Sequence, residues 1–450
     1  MVSANEEALT DSERSSNDKK NATATRSRAV LIVGAIVCGL NCGIQLSGSY
    51  IIPITETACP KWSKSSTVIG QSLSLGVGAI AGVLNSRLVR RIGSRAALVL
   101  SLVLGALAYG LCGITVSQCG LAAEIVYIIL FAIMGVRANL LFLAWIDSLL
   151  GAFSARRHGF AVSIFPAAVA VGSIGYGQFF LFSQRLQLDG TLDASTVFFI
   201  VGLFVVVTTT IGVGVIMPVA RPAPAADERR NSSRIVRERV MSRRFVFAFF
   251  GRFLIMLSGF GLISRQQDFL EVMWHVDHSN IIHLLLTYIM AVYSVARILW
   301  VFVSDRVGIK NLWVVTGAVQ SFSLALMPIF IICNGGATWG RYVALLFFSL
   351  FMAGFSAPTS TPAAFVTEIW NSKEATVTTG MFTPSLGLAG LTGPLVLEAM
   401  YMTWNCFTYF LLASSGLALV GVLLVIAVQK QRDCVGSIQV LGQNDAQIPN

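Results

Sequence analysis

The chain is predicted to be an all-α membrane protein, with twelve transmembrane helices arranged as two pseudo-symmetric bundles of six. Three observations predict this. Of 450 residues, 55% are hydrophobic and only 12% charged, with a mean hydropathy of +0.73, whereas a soluble domain carries about 25% charged residues. Twelve apolar segments recur along the chain, each near the ~20 residues that a helix needs to cross a bilayer. Finally, a charged turn built on a glycine, Arg91-Ile-Gly93-Ser-Arg95, returns in the second half as Arg306-Val-Gly308-Ile-Lys310.

Residues 1–28 are polar and mixed in charge, with no cleavable signal, so the first apolar run is read as an anchor that stays. The first bundle, 29–219, holds spans at Ala29–Ile54, Thr67–Leu84, Ala96–Val116, Ala122–Leu149, Gly159–Phe182 and Thr196–Pro218. The second, 245–428, holds Phe245–Ile263, Ile281–Val303, Leu312–Cys333, Val343–Phe365, Ala375–Leu397 and Phe407–Val428. Apolar runs of this length leave no alternation for a barrel, so helices are the spanning form. Residues 220–244 carry eight arginines and read as a basic cytosolic linker; residues 429–450 form a tail. The linker either touches anionic head groups or is a solvated connection that fixes topology.

Orientation follows from Arg and Lys. One set of turns carries Arg87, Arg90, Arg91 and Arg95, then Arg156 and Arg157, then Arg306 and Lys310, then Lys373; the opposite set is poorer. Both termini are therefore expected in the cytosol. The glycosylation patterns at Asn21 and Asn231 fall on that side and are read as chance matches.

The net charge of +10 belongs to these short turns, so it describes orientation and gives no reason to expect nucleic acid. Cysteines are scattered without metal-like spacing. Cys59 and Cys119 both fall in outer turns and can pair, although scattered membrane cysteines are usually free. His275, Asp277 and His278 resemble metal chemistry only superficially and read as a solvated turn. The chain has no phosphate-cradling glycine loop and no nucleophile–base arrangement. ATP-driven transport, enzymatic activity, metals and cofactors are therefore not expected.

The residues that bear chemistry are charges inside apolar runs. Arg297 lies eight residues before Asp305, about 12 Å of helix rise, and so near the middle of a ~30 Å hydrocarbon layer. A guanidinium keeps its charge there and needs an anion, a partner or a wet cavity. Either it binds a substrate carboxylate, or it caps carbonyls and neutralises a neighbouring helix. Arg137 is the second such cation. Asp147 is about 15 Å along the same helix, which argues against a direct ion pair, and Arg137, in the first half, can instead face Arg297 across a cleft between the halves. That would suit one anion, or a dicarboxylate gripped at both ends. Asn41, Gln45 and Ser49 follow a four-residue spacing, which puts them on one helix face with Tyr50 beside it. That face is expected to line the cavity. Pro166 and Pro384 lie well inside corresponding spans of the two halves, and repeats with broken or kinkable helices are the pattern of a carrier whose site lies between them.

In register, these residues resemble the major facilitator superfamily, and within it the oxalate:formate antiporter and monocarboxylate porter branch. Trp62-Ser-Lys-Ser65 is similar to its Trp-Ser-x-Ser, and Phe153 with Arg156-Arg157-His-Gly159-Phe-Ala161 to its Phe-x-x-Arg-Arg-Gly-x-Ala. Gly261-Leu-Ile-Ser264 resembles its seventh-helix Gly-Leu-x-Ile-Ser. Arg297-Ile-Leu-Trp300 with Ser304-Asp305-Arg306-Val-Gly308 is similar to Gly-Arg-x-x-Trp-x-x-x-Ser-Asp-Arg-x-Gly, and Thr367-Glu368-Ile-Trp370-Asn-Ser-Lys373 stands where the family has Ala-Asp-Leu-Phe-Gly-x-Lys. The sequence departs from the branch at Arg90, in an acidic slot, and at Gln45 and Ser47, where an aromatic pair stands. It has no lysine in the eleventh span, where oxalate carriers place a second positive charge.

The resemblance implies a secondary transporter of a small organic anion, a monocarboxylate, working by alternating access with proton symport or anion exchange. Arg297, Arg137, Gln45, Tyr50 and Asn41 would bind the substrate. Asp305, Arg306, Gly308 and Lys310, with Arg91, Gly93, Arg95, Asp147 and Glu368, would form the cytosolic gate. The lipid bilayer is the other partner. The alternatives are a carrier of a different small solute and a transporter-like sensor or scaffold that moves nothing.

Overall fold

The computed structural model describes residues 27–46, 48–62, 64–153, 158–216, 238, 240–274, 280–333, 338–370, 375–404 and 406–428. Residues before Ser27, most of the basic linker, the carboxyl-terminal tail, the turn holding His275 and His278, and the side chain of Asp305 lie outside the description.

Helices account for nearly all of it. In the first half they are α1 (Ser27–Gln45), α2 (Gly48–Ala58), α3 (Lys64–Ile80), α4 (Gly82–Gln118), α5 (Leu121–Ala152), α6 (His158–Leu188) and α7 (Ala194–Ile216). In the second they are α8 (Arg243–Ser264), α9 (Gln266–Trp274), α10 (Asn280–Val307), α11 (Ile309–Cys333), α12 (Thr338–Ser360), α13 (Pro362–Trp370), α14 (Ala375–Phe382), α15 (Pro384–Trp404) and α16 (Thr408–Ala427). Among the described residues, eleven helices are long and apolar enough to cross a membrane. The 37-residue α4 turns sharply at Gly93, so its first part completes the crossing begun by α3 and the rest is a separate one. Among the described residues the helices thus make twelve crossings. Leu84, Leu203, Leu284 and Phe322 remain exposed on the outer surface, as expected where lipid is the solvent and backbone groups are satisfied within each helix.

Three predicted spans are broken. The first is interrupted by a 3-10 turn at Gly43–Leu46, and Gln71 donates to the Gln45 carbonyl within it. The tenth breaks at Thr361 ahead of Pro362, and the eleventh at Thr383 ahead of Pro384. Proline cannot continue the hydrogen-bond ladder, and irregular backbone at membrane depth persists only where protein or a cavity surrounds it.

The halves meet along two seams. α3 and the start of α4 run against α14 and α15, and α6 runs against α10, where the Ser294 hydroxyl donates to the Ala170 carbonyl at 2.8 Å. At the end carrying Gly93 and Gly308, a buried cluster joins Ile146 and Val162 of the first half to Trp313, Phe365 and Phe382 of the second. Trp313 stacks on Phe365 with centroids 4.0 Å apart. That end is closed. Toward the other end is a cavity of about 580 Å³ walled by Pro53, Val68 and Arg185 on one side and Arg265, Asp268 and His283 on the other.

Cys59 and Cys119 form a disulfide across a sequence separation of 60, while Cys38, Cys42, Cys112 and Cys406 are free. The expectation that scattered membrane cysteines stay free fails for this pair, because the ends of α2 and α4 meet at one rim of the first bundle. Closing a loop of that length stabilises by roughly 4 kcal/mol in the chain-entropy account. Reduction, or the Cys59→Ser/Cys119→Ser double variant, should therefore lower the unfolding temperature in detergent by several degrees. An unchanged temperature would show that the bond adds no stability.

Candidate functional site

A cavity of about 130 Å³ lies between the halves. Its walls come from α1, α3, α5 and α6 on one side and from α8, α10, α12, α13 and α15 on the other, and the broken segments at Gly43–Leu46, Thr361 and Thr383 border it. Gln45, Asn139, Pro166, Arg252, Tyr293 and Arg297 are among its lining residues.

Arg297 on α10 is 5% exposed. Its Nη2 donates to the Thr359 carbonyl at 3.4 Å, and the guanidinium sits 5.3 Å from the centre of the Tyr293 ring, one helical turn earlier. The Tyr293 hydroxyl in turn donates to Thr359 Oγ1. Nε and Nη1 of Arg297 find no hydrogen-bond partner among the described residues. A buried cation with donors left over is costly unless something negative completes it.

The second arginine of this cavity is Arg252, which the sequence reading missed. It is 1% exposed, with Nε donating to the Pro358 carbonyl at 3.2 Å and Nη1 to the Phe382 carbonyl and Ser385 Oγ. It also lies 5.1 Å from the centre of the Phe382 ring. The signal was present: Phe249-Phe250-Gly251-Arg252-Phe253 places a permanent charge inside the seventh apolar run, as with Arg297.

Arg137 does not face Arg297. It is 1% exposed and absent from the residues that wall the cavity. Its Nη1 donates to Asn41 Oδ1 at 3.4 Å and its Nη2 to Thr209 Oγ1 at 2.9 Å. Asn41 Nδ2 donates to the Val205 carbonyl and to Thr208 and Thr209, so both residues belong to a network among α1, α5 and α7 inside the first half. The shared face expected for Asn41 and Gln45 is lost because the 3-10 turn changes the helical period between them. Gln45 alone of the two reaches the cavity, donating to the Met134 carbonyl at 3.3 Å. Tyr50 is buried against Gly177 of α6, also away from the cavity.

The repeated turns form corresponding structures. Gly93 and Gly308 have φ of 83° and 82°, a region open to glycine and strained for other residues. Immediately after each, a carboxylate from a neighbouring span holds the chain. Asp147 accepts from the Ser94 hydroxyl at 2.7 Å, and Glu368 accepts from the Ile309 N–H at 2.7 Å, a favourable place for negative charge at a helix start. Lys310 Nζ donates to the carbonyls of Ile426 and Val428 at the end of α16, while Arg91, Arg95 and Arg306 are exposed.

At the opposite end, Arg265 follows α8 and binds both carboxylate oxygens of Glu398, at 2.5 and 2.6 Å, and Asp268 at 2.6 Å. Partial burial opposes its charge, but the two carboxylates more than compensate and hold its pKa above the ordinary arginine value. Neither Arg265 nor Glu398 was singled out from sequence.

No family model matches the chain, and no curated protein matches it. Among solved structures it is similar to the human organic anion transporter MFSD10 (TETRAN), with a TM-score of 0.60 and 14% sequence identity, over 89% of this chain and 99% of that one. With twelve crossings, paired seams and a cavity between the halves, the chain has the major facilitator fold.

Proposed function

We propose that the protein is a secondary active transporter of a small organic anion, carried by rocking of the 29–219 and 245–428 bundles about the central cavity. The observation that carries this reading is the unfilled donor set of Arg297, at membrane depth on the wall between the halves. The lining supports it: two arginines and, among the described lining residues, no carboxylate. In a low-dielectric site, such a lining favours an anion over a neutral or cationic solute. A cavity of about 130 Å³ suits a small solute. The similar human structure is of an organic anion transporter, which agrees with this chemistry.

In this reading the closed end with Gly93 and Gly308 is the cytosolic gate. The concentration of arginine there supports it, as does the Cys59–Cys119 disulfide at the other end, since disulfides persist on the oxidising side of a membrane. Both termini are then cytosolic. The resemblance in sequence favours a monocarboxylate, with proton symport or anion exchange as the coupling.

The test is uptake by proteoliposomes offered labelled lactate, pyruvate, malonate and sulfate, with and without a pH gradient. Saturable uptake of at least one anion is expected. Stimulation by an inward proton gradient would assign symport, and stimulation by internal anion would assign exchange. No saturable uptake of any anion would sink the carrier reading and leave a scaffold on a transporter fold.

A further inference from the structure

Arg252 enters the cavity from α8 and Arg297 from α10, and both are anchored at one place. Arg252 Nε binds the carbonyl of Pro358, and Arg297 Nη2 binds the carbonyl of the next residue, Thr359. These belong to the last turn of α12, which ends at Ser360. Successive carbonyls of one turn hold the guanidiniums close together on the wall of a single small cavity.

The local charge can be counted. Two guanidiniums contribute two positive charges, and the carboxyl end of a helix offsets only about half of one. Among the described lining residues nothing acidic supplies the remainder. Hydrogen-bonding capacity agrees with the charge. Arg297 has Nε and Nη1 unpartnered, and the contacts of Arg252 engage Nε and Nη1, leaving Nη2 for a ligand. A monoanion would leave one cation buried and largely uncompensated, which is expensive. A dianion would neutralise both.

We infer that the preferred substrate is a compact dianion gripped jointly by Arg252 and Arg297, with Arg252 setting the preference for two negative charges over one. This rests on the anion-carrier reading and replaces the monocarboxylate that the sequence resemblance favours with a dianion. The cavity volume of about 130 Å³ suits a short dicarboxylate or an inorganic dianion.

The test is equilibrium binding to the purified full chain in detergent, read by ligand-induced thermal stabilisation, with lactate, malonate and sulfate as probes. For the wild type, at least one of malonate and sulfate should bind about 10-fold tighter than lactate; which of the two does so identifies the dicarboxylate or the inorganic source. Arg252→Gln should weaken the dianion by about 100-fold and lactate by less than about 3-fold, whereas Arg297→Gln should weaken both by a similar large factor. Lactate binding as tightly as both dianions would overturn the inference while sparing the carrier reading. So would Arg252→Gln weakening dianion and lactate equally, as expected if Arg252 only braces α12 and α15. If Arg252→Gln does not fold, the wild-type preference alone decides. Absence of binding by all three probes would overturn this inference and the anion-carrier reading together.

Discussion

Replacing Arg297 by lysine should reduce anion uptake about 100-fold while leaving insertion and unfolding temperature near those of the wild type. The structure gives the reason. Arg297 spends one N–H of Nη2 on the Thr359 carbonyl and leaves Nε and Nη1 without a partner, so a bound carboxylate can take the second N–H of Nη2 together with one of them, two donors fixed in one plane. An ammonium is a point charge on a flexible stem. At this position it would either reach the Thr359 carbonyl or meet the anion, and it also loses the flat face that rests against Tyr293. Charge is kept in this variant, so a general field effect would survive and a geometric one would not. Arg297→Gln removes both and should be the more severe. The measurement is initial uptake in proteoliposomes, normalised to inserted protein. Uptake within about 3-fold of wild type in Arg297→Lys would remove Arg297 from the substrate site.

The membrane segments were legible because lipid imposes one rule on backbone polar groups, and a run such as Thr196–Pro218 obeys it visibly. The repeated glycine turn was legible for a similar reason. Gly93 and Gly308 stand in matching charged contexts, and their positive φ is what glycine is for. The site was harder. Depth can be counted along a helix, so Arg137 and Arg297 were both placed correctly within apolar spans. Rotation about the helix axis cannot be counted when the helix is apolar all round and has no polar stripe to mark its inner face. Arg137 is on such a helix and turned out to point into its own bundle. Asn41 was misplaced by the break at Gly43–Leu46, which no proline announces. The break at Thr383 was announced by Pro384 and that at Thr361 could have been read from Pro362, and they matter because they bring the carbonyls of Pro358, Thr359 and Phe382 to the arginines. Arg252 was a failure of application, since the rule that found Arg297 covers it.

Gly380→Val should shift the protein toward the state that is open at the arginine-rich end, and slow transport at least 10-fold. On α14, a Cβ at position 380 would lie 2.3 Å from Ser86 Cβ and 2.8 Å from the Gly82 carbonyl. These atoms are on the seam where the start of α4 meets the second half, beside the cluster that closes this end. Overpacking a tight contact costs about 1–3 kcal/mol, and here the cost falls on the closed state alone, because separating the two halves relieves it. A penalty of that size moves a two-state equilibrium by roughly 5- to 150-fold, enough, on the proposed carrier reading, to hold the protein on one side of its cycle. Cys42 is a native reporter, since it is free and lines the central cavity. With Cys333, Cys406 and Cys434 replaced by serine in both parent and variant, a membrane-impermeant maleimide offered from the Gly308 side should label Cys42 at least 10-fold faster in Gly380→Val than in its parent. The same reagent from the opposite side should label it more slowly. Equal rates from both sides in parent and variant would mean that this seam does not part during the cycle, and the opening of the arginine-rich end would have to be assigned to the α6–α10 seam instead.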